Sequence, residues 1–148
     1  ITGLHGNQML DTHRESGGQP ASLSYGRGRP RPMFLGAAPK VILASFGPAQ
    51  LRKLFDQHPR EIAAAGLPGE WTDFRKYYSA IRKAGCYFSD GELEPNLAAL
   101  GVPLVHADGR ILGAISLVGT VQRMALIDRA KLAPLVMRAA QDITARIP

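Results

Sequence analysis

The segment from Leu97 to Val118 constrains the fold most, because two apolar runs flank a short turn sequence. Asp108-Gly109 lies between the runs, and an Asp-Gly pair in that setting is a strong signal for a β-hairpin. The pattern predicts strands over Leu97–Val105 and Arg110–Val118. A hairpin of this length predicts an antiparallel sheet that needs helices to cover its apolar surface.

The rest of the chain supplies further strands and helices. "ITGLHGNQMLDTH" predicts two short strands joined at Gly6-Asn7, and "ASLSYG" and "CYF" predict one short strand each. Helices are predicted from Pro39 to Gly47, from Pro48, and from an N-cap at Thr72 to Gly85. A last helix either begins shortly before Pro134 or is kinked there. The 148 residues fit one domain of the α+β class, with a twisted, mostly antiparallel sheet.

The charge of the chain is basic but does not indicate a nucleic-acid surface. The formal net charge is +6, and Arg27, Arg29 and Arg31 lie within "GRGRPRP". Such a patch can attract an anionic partner, or it can be a solvated loop. Only Tyr25 and Phe34 stand nearby as aromatic residues on which bases could stack.

The composition favours an intracellular protein without a membrane segment. The longest apolar runs, such as Ile111 to Val118, are far shorter than the roughly 20 residues of a membrane-spanning helix. Cys86 is the one cysteine, so an internal disulfide framework is excluded. These features predict a cytoplasmic location, no membrane partner and no cysteine-rich zinc site.

The sequence lacks the common catalytic and cofactor motifs. The four histidines have no i,i+4 or His-x-His spacing of a metal site, and no Gly-x-Ser-x-Gly is present. "YGRGRP" lacks the third glycine and the following helix of a dinucleotide site. We therefore expect no catalytic residue, no metal and no cofactor.

One enzymatic alternative stays open from the residues alone. Asp90, Glu92 and Glu94 place three carboxylates at alternating positions in one acidic loop. Together with Lys40 or Cys86 they could perform acid–base or nucleophilic chemistry. A solvated turn explains the same three carboxylates.

The predicted hairpin and the Pro39 helix together have the character of a small-molecule pocket. One face of the first strand presents Leu97, Ala99, Gly101 and Pro103, and one face of the second presents Leu112, Ala114, Ser116 and Val118. Backbone amides at Gly36-Ala37-Ala38 stand at a helix start, where a carboxylate is favoured. The alternative from periodicity alone is that both faces are simply core.

Two ordered segments resemble a known family. "RPMFLGAAPKVILASF" is similar to a pattern of a small-residue turn followed by Gly-Lys-Ala-Leu-Leu-Ala. "IRKAGCYFSDGELEPNLAALGVPLVHADGRILGAISLVGT" resembles Arg-x-x-Gly-Tyr-x-x-Asp-x-Glu, then Ala-Ala-Pro-Val, Asp-x-x-Gly and Ala-(Leu/Ile)-Ser-(Val/Ile)-x-Gly. The chain resembles the effector-binding domain of IclR-type transcriptional regulators over nearly its whole length.

The resemblance implies a GAF-like fold with helices on both faces of the sheet, a pocket for an organic or aromatic acid, and assembly into a homodimer or homotetramer. It implies DNA binding only through an N-terminal winged helix-turn-helix domain, which is absent from residues 1–148. Ile1 begins inside a predicted strand without a start methionine. We therefore expect a fragment of a longer regulator.

The resemblance also assigns candidate ligand-binding positions. Gly36, Ala37 and Ala38 match the small-residue turn, Ser89 a position that can carry Asp, Ala99 one that can carry Cys, and Ser116 and Val118 two serine-type positions. Phe34 stands where His is usual and Pro39 where Gly is usual. Fewer polar groups and added apolar surface predict a larger, flatter ligand, such as a substituted benzoate or a neutral derivative, with Phe34 and Trp71 as an aromatic wall. The full candidate set is Phe34, Leu35, Gly36, Ala37, Ala38, Trp71, Ser89, Leu97, Ala99, Ser116 and Val118.

Three functions thus compete: a ligand-sensing regulatory domain, a small-molecule enzyme that uses the acidic loop, and a module that serves only oligomerisation. Substitution of Asp90, Glu92 and Glu94 by Asn or Gln separates the first two, because a sensor should still bind its ligand. The third predicts no saturable binding of any small molecule.

Overall fold

A computed structural model describes residues 1–17 and 26–148 of the chain. The strand predicted for "ASLSYG" and the stacking candidate Tyr25 lie outside the described residues, apart from Gly26 at the end of that segment. The strands are β1 (Thr2–His5), β2 (Gln8–Asp11), β3 (Pro30–Arg31), β4 (Tyr87–Asp90), β5 (Leu97–Val105) and β6 (Ile111–Thr120). The helices are α1 (Ala37–Ala44), α2 (Pro48–Gln57), α3 (Pro59–Ala64), α4 (Trp71–Ala84), α5 (Val121–Ala125) and α6 (Arg129–Thr144).

The strands form a six-stranded sheet in the order β3-β2-β1-β6-β5-β4, and the pairs are antiparallel. The β1–β2 hairpin turns at Gly6-Asn7, and the β5–β6 hairpin turns around Asp108-Gly109, as the sequence predicts. In the second turn the Asp108 side chain accepts a hydrogen bond from the backbone N–H of Arg110 at 2.9 Å. The α+β fold with an antiparallel sheet is therefore confirmed.

Helices cover both faces of the sheet, as expected for a GAF-like domain. On one face, α1 packs against β4, β5 and β6, and α4 packs against α1. On the other face, α6 packs against β5 and β6. Each face has its own hydrophobic core, one centred on Ile42, Leu43 and Phe74 and one on Leu100 and Val102.

Gly101 sets the distance between α1 and the sheet. A Cβ at Gly101 would lie 2.7 Å from both the carbonyl carbon and the carbonyl oxygen of Ala37, which real side chains do not tolerate. The start of α1 therefore rests directly on the backbone of β5. A larger residue at position 101 would lift the helix away from the strand.

Some element boundaries differ from the prediction. Helix α4 begins at Trp71 with an extended N-cap residue at Glu70, so the predicted Thr72 cap lies inside the first turn. Helix α6 begins at Arg129, capped by Asp128, and Pro134 lies inside it. Helix α5 was not predicted; the hydroxyl of Thr120 caps it by accepting a hydrogen bond from the Arg123 N–H.

Candidate ligand-binding site

A cavity of about 460 Å³ lies between the start of α1 and the side of the sheet that α1 covers. Its volume falls within the roughly 300–1,000 Å³ that is usual for small-molecule sites. The strand register explains the lining, because Ser89 pairs with Ala99, Ala99 with Val118, and Gly101 with Ser116. Directly paired residues present their side chains on the same face of a sheet.

The structure brings together most of the residues that the sequence proposed for ligand binding. Those that line the cavity are Gly36, Ala37, Ala38, Ser89, Leu97, Ala99, Ser116 and Val118. The Ser89 side chain is buried, and within the described residues neither its hydroxyl nor that of Ser116 has a hydrogen-bond partner. The cavity thus offers two hydroxyl groups in an otherwise largely apolar strand surface.

Phe34, Leu35 and Trp71 do not line this cavity, which corrects the expectation of an aromatic wall. Phe34 is 2% exposed and makes edge contacts with the rings of Phe74 and His58. Trp71 packs against Phe74 and Phe55, with ring centroids 6.3 Å and 5.6 Å away. The two aromatic side chains belong to the core that includes α1 and α4, in which Phe34 is buried and Trp71 is half-buried.

The N-terminal amide of α1 is already occupied by a carboxylate of the protein. Glu92 Oε2 accepts a hydrogen bond from the Gly36 N–H at 3.1 Å. The same oxygen forms an ion pair with Lys40 Nζ at 2.7 Å. Both the helix dipole and the lysine favour an anion at this place. The resemblance implied that the amides of Gly36, Ala37 and Ala38 hold a ligand's acidic or polar end. Glu92 takes the Gly36 donor in this structure, so for the amides of Ala37 and Ala38 that role stays a prediction.

Two tyrosines complete this group of polar residues, which we call the Glu92 network (Gly36, Lys40, Tyr77, Tyr87 and Glu92). The Tyr87 hydroxyl donates to Glu92 Oε1, and it accepts hydrogen bonds from Lys40 and from the Tyr77 hydroxyl at 3.1 Å and 3.2 Å. Burial raises the pKa of Tyr87 well above its ordinary value, and the hydrogen bond to Glu92 adds to that shift. Tyr87 is therefore a neutral hydrogen-bond donor at physiological pH.

A second polar group lies on the same face of the sheet and is called the Arg31 network (Thr2, Asp11, Arg14 and Arg31). Arg31 Nη1 pairs with Asp11 Oδ1 at 2.7 Å, and the Thr2 hydroxyl donates to the same oxygen at 2.7 Å. The Arg14 guanidinium contacts Asp11 Oδ2 at 3.3 Å. Burial raises the pKa of Asp11, but Arg31 and the three hydrogen bonds outweigh it and hold the pKa below the ordinary value.

The acidic loop makes structural contacts that account for two of its carboxylates. Asp90 forms a two-oxygen ion pair with Arg129 Nη2 at 2.8 Å and 2.7 Å, and Glu92 is bound within its network. Burial raises the pKa of the Cys86 thiol, which lowers the thiolate fraction that a nucleophile needs. These contacts favour a structural role for the loop over the enzymatic alternative.

The described residues form neither a metal cluster nor a membrane-spanning helix. Across residues 1–17 and 26–148, no three His, Cys, Asp or Glu side chains converge as a metal site requires. Within the same described ranges, no helix combines the length and the hydropathy that crossing a bilayer demands.

The sequence interpretation missed Arg31 as part of the site. Arg31 was grouped with Arg27 and Arg29, which are exposed, whereas the Arg31 side chain is 11% exposed and lines the cavity. The pairing of β3 with β2 explains the position of Arg31. Arg31 pairs with Met9, and Asp11 is two residues after Met9 on the same strand, so the side chains of Arg31 and Asp11 lie on the same face of the sheet. No local feature of "GRGRPRP" indicates this pairing.

A family comparison decides the class of protein. The family model described as "Bacterial transcriptional regulator IclR C-terminal" matches residues 2–145. The chain belongs to the IclR family. It is a C-terminal regulatory domain of a family of transcription regulators, which are generally not enzymes. No curated protein matches the chain.

Solved structures share the fold of this IclR domain. The transcriptional regulator YaiJ has a TM-score of 0.84 at 18% identity, over 99% of this chain and 82% of that one. The inducer-binding domain of an Acinetobacter PobR double mutant in complex with 3-hydroxybenzoic acid has a TM-score of 0.74 at 18% identity, over 97% and 84%. An IclR homolog from Microbacterium hydrocarbonoxydans in complex with 4-hydroxybenzoate has a TM-score of 0.78 at 19% identity, over 97% and 57%.

Proposed function

We propose that residues 1–148 form the effector-binding domain of a cytoplasmic transcription regulator. The effector binds in the cavity between α1 and strands β4, β5 and β6, and it alters DNA binding by a winged helix-turn-helix domain linked N-terminally to this chain. The observation that carries the proposal is the cavity of about 460 Å³ lined by Ser89, Ala99 and Ser116. A ligand can act in this way only if it binds the two functional states with different affinities.

The chemistry of the cavity favours a small organic acid, and an aromatic acid or its derivative in particular. Ala99 and Val118 face each other across β5 and β6 and offer flat apolar surface on which a ring can lie. Ser89 and Ser116 supply hydroxyl groups that can bind polar substituents of such a ring. The hydroxybenzoate complexes of two structures with the same fold support this class of ligand.

We also propose that the regulator assembles as a homodimer or homotetramer. Large apolar side chains remain exposed in this chain, with Leu126 at 88% and Leu135 at 62%. Exposed apolar side chains at the end of α5 and in the middle of α6 are compatible with burial against a second copy. Sedimentation of the purified domain at several concentrations measures the state of assembly directly.

Thermal-shift measurements on the purified chain test the ligand site. The panel contains benzoates, phenolic acids, their amides and short keto acids. A ligand at a hundredfold excess over its Kd stabilises the folded state by about 2.7 kcal/mol, because only the folded state binds it. We expect the aromatic compounds to raise Tm more than the short keto acids.

A pair of variants places the binding in the cavity. Ser116→Phe puts a ring into the space between β6 and α1, so it should remove the ligand-dependent rise in Tm. Ser79→Phe, on the exposed surface of α4, is the matched control and should leave the rise intact. A rise that survives Ser116→Phe would contradict the site, and no rise with any class of compound would favour a module that serves only assembly.

A further inference from the structure

Arg31 is a charged cavity residue whose guanidinium has unused hydrogen-bonding capacity. Its side chain is 11% exposed, and its partners in the described part of the chain, Asp11 and Thr2, both contact Nη1. Nε is buried and has no hydrogen-bond partner among residues 1–17 and 26–148. Nη2 lies at the start of α1, where it would be 3.6 Å from a Cβ placed on Gly36.

The unpaired part of the guanidinium has the shape that binds a carboxylate. An arginine presents Nε–H and one Nη2–H as a parallel pair of donors, which matches the two oxygens of a carboxylate. Asp11 occupies the other nitrogen and thereby fixes the plane of the guanidinium without using this pair. A buried donor without a partner costs free energy, so an incoming acceptor would recover that cost.

The surrounding groups leave this position to a ligand. Glu92 is bound to Lys40 and to the Gly36 N–H, and within the described residues no hydrogen bond or ion pair joins it to Arg31. The cavity lining includes both Arg31 and Gly36, and it continues to Ser89 and Ser116 on the strands. A small acid can therefore lie with its carboxylate at Arg31 and its ring over the strands.

We propose that the Nε–Nη2 edge of Arg31 is the anion-binding group of the cavity and selects effectors that carry a carboxylate. The proposal rests on the proposed function, since it assigns the recognition chemistry of that same site. It replaces the amide of Gly36 as the partner of the ligand's acidic end. It also gives Asp11 and Thr2 the role of positioning residues, which hold the guanidinium in place.

Matched pairs of acids and amides test the proposal. Benzoate, 4-hydroxybenzoate and phenylacetate are titrated calorimetrically into the purified chain beside benzamide, 4-hydroxybenzamide and phenylacetamide. We expect each bound acid to bind at least about thirtyfold more tightly than its amide, because the amide cannot form the paired charged hydrogen bonds. The readout is the ratio of the two Kd values, which a purely structural role of Arg31 would not change.

Variants assign the preference to Arg31. Arg31→Met should bring the ratio of the acid and amide Kd values close to one. Arg31→Lys should retain a reduced preference for the acid, because lysine keeps the positive charge but lacks the paired N–H donors of a guanidinium. Arg29→Met, an exposed arginine two residues away, removes the same net charge and should leave the ratio unchanged within about twofold. Asp11→Asn combined with Arg31→Met guards against misfolding, because it leaves no unpaired buried carboxylate.

The outcomes separate the two proposals. A preference for acids that disappears in Arg31→Met and in the double variant supports the role of Arg31. Acids and amides that bind alike, or a preference that persists in Arg31→Met, overturn that role while the ligand site itself stands. Absence of binding by every acid and every amide overturns the proposed function, and the role of Arg31 with it.

Discussion

The two polar networks on the α1-covered face of the sheet differ in how completely they use their hydrogen bonds. In the Glu92 network both oxygens of Glu92 accept hydrogen bonds, and Lys40 donates to two acceptors. In the Arg31 network the guanidinium uses one of its nitrogens and leaves Nε without a partner. The comparison teaches that a charged group can be fully used by the fold itself, and the proposal for Arg31 therefore depends on its unused hydrogen-bonding capacity and not on its charge alone.

Gly36 belongs to the Glu92 network and also lies next to Arg31, so the contrast between the two networks is direct at this residue. Its N–H donates to Glu92, and its Cα faces Nη2 of Arg31. Its φ of 85° suits glycine, which turns the chain into α1 at this point. The completed network therefore fixes the helix start, whereas the incomplete one faces the cavity.

The largest expected effect comes from breaking the completed network. Lys40→Met leaves the Glu92 carboxylate next to apolar side chains without its cation, and the Lys40 side chain is only 4% exposed. We expect a loss of about 3–5 kcal/mol in the free energy of unfolding, measured by urea denaturation. Lys40→Met combined with Glu92→Gln should be less destabilised than Lys40→Met alone, since no unpaired charge remains. A change of less than about 0.5 kcal/mol in Lys40→Met would show that the network contributes little.

A smaller loss of stability is expected from a substitution that displaces the start of α1. Gly101→Ala places a methyl group against the Ala37 carbonyl, so α1 must shift away from β5. We expect a loss of about 1–3 kcal/mol in the free energy of unfolding and a weaker ligand-dependent rise in Tm. Gly69→Ala, where an added Cβ meets nothing within 4 Å, is the control. Equal stability of the two variants would contradict the close packing of α1 on β5.

The smallest effect concerns the pH dependence of the Arg31 network. Because the pKa of Asp11 is held below its ordinary value in the folded protein, Asp11 stabilises the fold fully above about pH 4. That contribution is lost as the pH falls through the lowered pKa, because the folded state must then take up the proton. Urea unfolding of the wild type should therefore weaken more between about pH 5 and pH 3 than unfolding of Asp11→Asn. Identical slopes for the two proteins would refute the lowered pKa.

Much of the fold could be predicted because its signals are local. The bounds of β5 agree with the prediction, since two turns enclose a run of apolar residues, and Gly85 ends α4 in a left-handed conformation. Helix α5 escaped prediction because five residues that follow a strand directly show no helical periodicity. The Thr72 cap was misplaced because the chain enters α4 through Glu70, which is extended and makes no side-chain cap hydrogen bond.

The candidate site was predicted where it depends on strand alternation and missed where it depends on distant pairing. Ala99 and Ser116 follow from the two-residue period of a strand that pairs in a hairpin. Arg31 and Asp11 are 20 residues apart, and their contact depends on the register between β2 and β3. Phe34 and Trp71 were predicted to form a wall of the ligand pocket. Aromatic residues occur both in pocket walls and in hydrophobic cores, and the sequence does not distinguish the two positions.

The short loop after β4 has a mechanical consequence for the whole domain. Asp90 at its start is tied to Arg129 at the beginning of α6, Glu92 is tied to α1, and Leu93 lines the cavity. Helices α1 and α6 lie on opposite faces of the sheet, so this loop crosses the edge of the sheet and is bonded to a helix on each face. A displacement of Leu93 by anything that enters the cavity would therefore pull on both helices at once.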